Sequence, residues 1–126
     1  MATILHLAPA EAWLALPPDA TTYAPSSLTE EGFVHATAGD EVLLQVANAF
    51  YRDQPGDFVV LSLDEARLGP EVRWEAPEPA PPPGSEVPLF PHVYGPLDLA
   101  AVTEVRSVAR DADGGFVEIV AYRATT

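Results

Sequence analysis

Half of the chain's 14 prolines fall within residues 77–91. Proline fixes φ and carries no backbone N–H, so this stretch enters neither a helix interior nor a central strand. The fold must therefore be assembled from the segments on either side. Residues 77–91 read as a surface loop, too long for a simple turn, and form a lid or wall beside His92, which follows them directly. With 126 residues, 48% of them hydrophobic, the chain suits a single domain over 1–126 with a real core.

The N-terminal side mixes helix and strand signals. Thr3 to Leu7 reads as a strand. Pro9 then opens a short helix with Glu11 in its first turn, an apolar face of Ala12, Trp13 and Leu16, and Pro17-Pro18 as its stop. Trp13 is expected in the core. Ser27-Leu28-Thr29-Glu30 fits a capping box, which predicts a helical turn before Gly32. Phe33 to Thr37 reads as a second strand. Val42, Leu43, Val46, Ala47 and Phe50 share one helical face, with Asp40 and Glu41 at the favourable end, so a core-facing helix is predicted that stops before Pro55-Gly56. Phe58 to Leu63 and Val72 to Glu75 are strands.

After the proline segment, His92 to Tyr94 is strand-like and Gly95-Pro96 turns the chain. Val102 to Val108 and Phe116 to Tyr122 make a hairpin through Asp111-Ala112-Asp113-Gly114-Gly115. Six or seven strands and two helices near the N-terminus give an α+β fold with a curved, mainly antiparallel sheet.

Charge narrows the chemistry. Nineteen acidic residues stand against six arginines and no lysine, a net charge of −13. That field repels phosphate backbones, so no general nucleic-acid binding is expected. Without lysine there is no Schiff base and no phosphate-loop lysine, and the G-x-G-x-x-G and G-x-S-x-G patterns are absent as well. No cysteine is present, which excludes disulfides and thiolate chemistry and makes a cytoplasmic location the default expectation. The N-terminus has no basic n-region, and no apolar run reaches the roughly 18 residues of a membrane span. An arginine-only basic set with much Ala and Pro points to a GC-rich bacterial genome.

All three histidines, His6, His35 and His92, lie inside short apolar, strand-like runs. One such histidine is ordinarily a core residue satisfied by a backbone group. Three together point to strands converging on one cleft that holds groups titrating near neutrality. Tyr23, Ser27, Thr37, Glu75 and Tyr94 are the companions that can position hydroxyls or exchange protons. A three-histidine zinc site is the metal alternative, although no H-x-H or H-x-x-x-H pair supports it.

Glu31-Gly32-Phe33-Val34-His35-Ala36-Thr37 and Phe90-Pro91-His92-Val93-Tyr94-Gly95-Pro96-Leu97 resemble the two signature blocks of a mostly bacterial family, domain of unknown function 952. Ile4-Leu5-His6-Leu7, Trp13, Tyr23, Ser27-Leu28 and Arg73-Trp74-Glu75 are similar to the rest of its pattern, and the match covers residues 3–106. Ala36-Thr37 stands where a Cys-Ser pair is expected, with Thr37 keeping the hydroxyl. The family is distantly similar to the ADP-ribosyltransferase fold. That resemblance implies a small-molecule or nucleotide ligand such as NAD. His6, with Tyr23, Ser27 and Thr37, would bind the cofactor. His35 would act at the nicotinamide ribose or a phosphate. The third position would fall to Glu75, His92 or Tyr94. The block also resembles the His-x-Ser element of RNA 2′-phosphotransferases, which hold a phosphate with basic residues in which this chain is poor. The alternatives are a ligand-binding or protein-interaction module without chemistry, and a metal-dependent hydrolase.

Overall fold

The computed structural model describes residues 3–76 and 89–122. The proline-rich segment thus lies almost wholly outside the described residues. In chain order the elements are β1 (Thr3–Pro9), α1 (Ala10–Leu14), β2 (Thr22–Tyr23), α2 (Ser26–Glu31), β3 (Val34–His35), α3 (Asp40–Phe50), β4 (Phe58–Asp64), β5 (Val72–Glu75), β6 (Phe90–Val93), β7 (Leu97–Asp98), β8 (Val102–Arg110) and β9 (Phe116–Ala121). The fold is α+β, and every strand pairing among the described residues is antiparallel. Among the described residues three α-helices and nine strands stand against the expected two helices and six or seven strands. The helical turn expected before Gly32 is the short helix α2, and the two-residue strands β2 and β7 are additions.

The strands form three sheets, in the orders β1-β4-β8-β9, β3-β6-β5 and β2-β7. A single antiparallel bridge between Leu5 and Thr37 joins the first two along the β1 edge, with N–H···O bonds of 2.7 Å in both directions. The expected curved sheet is therefore two sheets stitched at one seam. The strand predicted over 33–37 is reduced to Val34–His35 for a covalent reason. Ala36 donates to the carbonyl of Pro91, but Pro91 has no N–H to return, so the ladder stops and Thr37 turns to Leu5.

β4 is buried on both faces, as its unbroken apolar run requires. Val59, Leu61 and Leu63 join Ile4, Ala8, Val34, Ala36 and Val93 in one core, while Phe58 and Val60 join Leu5, Leu43, Ala47 and Phe116 in a second. The second core is where α3 packs. Of its predicted apolar face, Leu43 and Ala47 are buried and Val42 and Val46 half-buried, but Phe50 is 64% exposed. Trp13 is half-buried, packed on the first core.

Two helix starts differ from expectation. Pro9 ends β1 and caps α1, so the helix begins at Ala10, whose N–H bonds the carbonyl of Asp57. The capping box at Ser27 does not form. α2 begins one residue earlier behind Pro25, which has no side-chain oxygen to offer. Among the described residues no helix is long and apolar enough to cross a membrane.

Candidate functional site

Period-2 alternation assigns the site its face. On β3 and the residues around it, Val34 and Ala36 belong to the core, so Phe33, His35 and Thr37 share the opposite face. Register then aligns β6 and β5. His35 pairs with His92, and His92 with Arg73; Glu75 pairs with Phe90. One face of the small sheet thus presents Phe33, His35, Arg73, Glu75, Phe90 and His92, with Val34, Val93 and Trp74 on the other. Between this face, the β1 edge and α3 lies a cavity of about 710 Å³ lined by Glu31, His35, Thr37, Glu75, His92 and Tyr94, with His6 at the seam. That volume is typical of small-molecule sites.

Two histidine–carboxylate pairs occupy it. His92 Nδ1–H donates to Glu75 Oε1 at 2.9 Å, and the Tyr94 hydroxyl donates to the same oxygen. The Tyr94 bond, followed by that of His92, holds the Glu75 carboxyl below the usual range, and the same Glu75 bond raises the Tyr94 phenol. An ionised carboxylate only accepts, so it fixes the proton of His92 on Nδ1 and leaves Nε2 as the reactive nitrogen. His35 Nε2–H donates to Glu31 Oε2 at 2.8 Å. That pair exists because Gly32 ends α2 with φ +88, a left-handed turn suited to glycine, which brings β3 back past the last residue of the helix. The two imidazole rings are 5.5 Å apart. Phe33 stacks on His92 at 4.2 Å and contacts His35 at 4.9 Å, locking both orientations.

His6 has a different place. It shares its strand face with Ile4 and Ala8, its ring lies 6.0 Å from that of Tyr23, and its Nδ1–H donates to the His35 carbonyl at 2.7 Å. Burial lowers its pKa to about 4. His6 is thus a neutral strap that stitches β1 to β3 directly behind His35. Its Nε2 and the Thr37 hydroxyl are buried without a protein partner.

The structure gathers His6, His35, Thr37, Glu75, His92 and Tyr94 around one cavity. Tyr23 and Ser27 do not line it. Tyr23 is buried against Trp13, its ring edge-on at 6.0 Å, and Ser27 is half-buried on α2. Sequence reasoning missed Phe33 and Glu31. Phe33 was legible in its parity with His35 and Thr37, whereas Glu31 becomes a partner only through the Gly32 turn. No group of three His, Asp or Glu side chains among the described residues is placed to hold a metal ion.

Among solved structures, the crystal structure of protein CC0527 from Caulobacter crescentus is similar to this chain with a TM-score of 0.70 and 27% identity, covering 92% of this chain and 94% of that one. The solution structure of CC0527 gives a TM-score of 0.67 and 28% identity, with 90% of each chain covered. A comparison with curated proteins finds no match. The model of the family described as "Protein of unknown function (DUF952)" matches residues 7–105, and the chain belongs to that family.

Proposed function

We propose that the cavity binds the ribosyl end of NAD or of an ADP-ribose-like nucleotide, and that the two histidine–carboxylate pairs act on it as acid–base groups. One observation carries this reading: His92–Glu75 and His35–Glu31 place two oriented imidazoles 5.5 Å apart at one aromatic-walled cavity. An imidazole fixed in one tautomer by a carboxylate is a general acid–base near neutrality. In this scheme Thr37 hydrogen-bonds a ribose hydroxyl, and His35 and His92 exchange protons with the sugar or an acceptor. Glu75 steadies the positive charge that develops on the ribosyl carbon as the glycosidic bond opens. His6 holds the His35 backbone in place and is a positioning residue. The distant similarity to the ADP-ribosyltransferase fold supports the same ligand class by analogy alone.

A second reading, a binding module without chemistry, is favoured by one specific contact. Glu75 is already engaged by both Tyr94 and His92, which spends its charge on structure.

Thermal unfolding with NAD or ADP-ribose, combined with chromatography for released nicotinamide, tests both. Ligand at about 100 times its dissociation constant adds roughly 2.7 kcal/mol of stability. Stabilisation with nicotinamide release, lost in His92→Asn, supports the enzyme. Stabilisation without release supports the module. If neither nucleotide shifts the transition, the NAD reading is wrong.

A further inference from the structure

We infer that the group received by this cavity is a flat organic cation of the N-alkylpyridinium kind. The inference deepens the reading above, from which it takes only that the cavity is a ligand site. Its argument is the composition of the wall.

Among the described lining residues the side chains with a permanent charge are both carboxylates, Glu31 and Glu75, and no arginine contributes. A diphosphate seated there would face two negative groups, while the guanidinium beside the cavity, that of Arg73, is already paired with Glu71. Five aromatic rings, Phe33, Phe50, Tyr51, Phe90 and Tyr94, line the walls beside aliphatic side chains of β1 and α3. Aromatic faces beside carboxylates are the surroundings in which cations are held. The cluster already shows this affinity internally. The Arg73 guanidinium lies 4.6 Å over the Tyr94 ring while both its Nε–H and an Nη–H donate to Glu71 at 3.1 Å. Arg73 is thereby tied to Glu71 behind the Tyr94 ring, and its charge reaches Glu75 and Tyr94 without its side chain lining the cavity.

Two further features fit. Phe50 is 64% exposed at the end of α3, an apolar ring held at the cavity wall instead of in the core. Thr37 is 6% exposed and lines the cavity, and its buried hydroxyl has no protein partner, so a polar substituent of the ring has a group to meet. The net charge of −13 draws cations toward any opening.

Matched pairs that differ mainly in charge provide the test. Calorimetric titration of the full chain at pH 8, above the ordinary imidazole range, compares 1-methylnicotinamide with nicotinamide, and nicotinamide riboside with its neutral dihydro form. The expected result is a preference of roughly tenfold for each cation. That preference shrinks toward unity in Glu75→Gln, which keeps an acceptor for Tyr94, and the cation weakens in Phe33→Leu. Circular dichroism confirms that both variants are folded. Equal binding, a preference for the neutral partners, or no cation binding up to about 5 mM overturns the inference. Cation binding by a protein that neither binds nor cleaves NAD leaves the inference standing and removes the NAD reading. NAD cleavage without charge preference does the reverse.

Discussion

Folding itself decides the protonation of His6. Burial takes its pKa from 6.5 in an exposed chain to about 4 in the folded one. The unfolded chain therefore binds the proton first as pH falls. Stability is full above pH 6.5 and drains away between 6.5 and 4, by on the order of 3 kcal/mol for this one group. His6→Gln provides the check. At pH 7.5 it should be less stable than the parent, because the bond to the His35 carbonyl and the packing on Tyr23 are disturbed. Urea unfolding as a function of pH should then show that deficit shrinking toward pH 4, since the variant has no imidazole to protonate. A deficit that stays constant from pH 7.5 to 4 would mean the ring is not held neutral. At this scale the sequence was half legible. Three histidines in apolar runs pointed to one cleft, but only the face of β1 that His6 occupies separates a strap from the two rings that carry carboxylate partners.

At the scale of elements, a single arginine organises the turn side of the molecule. Arg110, near the end of β8, donates to the carbonyls of Gln54 at 2.6 Å, Gly56 at 2.8 Å, Arg52 at 3.1 Å and Gly114 at 2.9 Å, and lies 4.3 Å over the Phe116 ring. It fastens the loop leaving α3 to the β8–β9 turn. Gly114 is required there, with φ +87 and a Cβ position only 2.2 Å from the Arg52 carbonyl oxygen. Arg110→Ala should cost about 3 kcal/mol, read from the urea midpoint. Arg110→Lys should recover only a minority of it, because an ammonium cannot reproduce the planar fork. A fully restoring lysine would show that charge alone holds the loop. The elements that bear this load were readable in advance, for stated reasons. β4, α3 and the β8–β9 hairpin carry long period-specific patterns. β2 and β7, two residues each, carry none. Periodicity also placed Phe50 on the apolar face of α3 correctly but not what covers that face, which at its last turn is cavity and not core. The break of β3 at Pro91 lay beyond local pattern, because it depends on which strand Pro91 pairs with.

For the whole molecule, the two sheets joined at Leu5–Thr37 enclose one core and carry α3 and the cavity on the other face. This shape is held under strong self-repulsion. Nineteen acids and six arginines leave a net charge of −13, and the arginine pairs of the described residues are few. The best of them, Arg106 to Asp40 at 2.8 and 2.9 Å, ties β8 to the first turn of α3 and lowers the Asp40 pKa. Salt acts on both terms. It weakens exposed pairs, each worth about 1 kcal/mol or less, and it screens the repulsion summed over the entire surface. With the Debye length falling from about 30 Å at 0.01 M to about 8 Å at 0.15 M, repulsion between distant carboxylates is lost first, while the short Arg106–Asp40 contact is largely spared. Repulsion should therefore dominate, and the thermal midpoint at pH 7.5 should rise between 10 mM and 150 mM sodium chloride. Arg106→Gln sharpens the measurement, because it deletes the principal pair and raises the net negative charge by one. Its midpoint should be lower at every salt concentration and climb more steeply than the parent's. A midpoint that falls with salt in both proteins would assign the stability to surface pairs and not to a core working against its own charge.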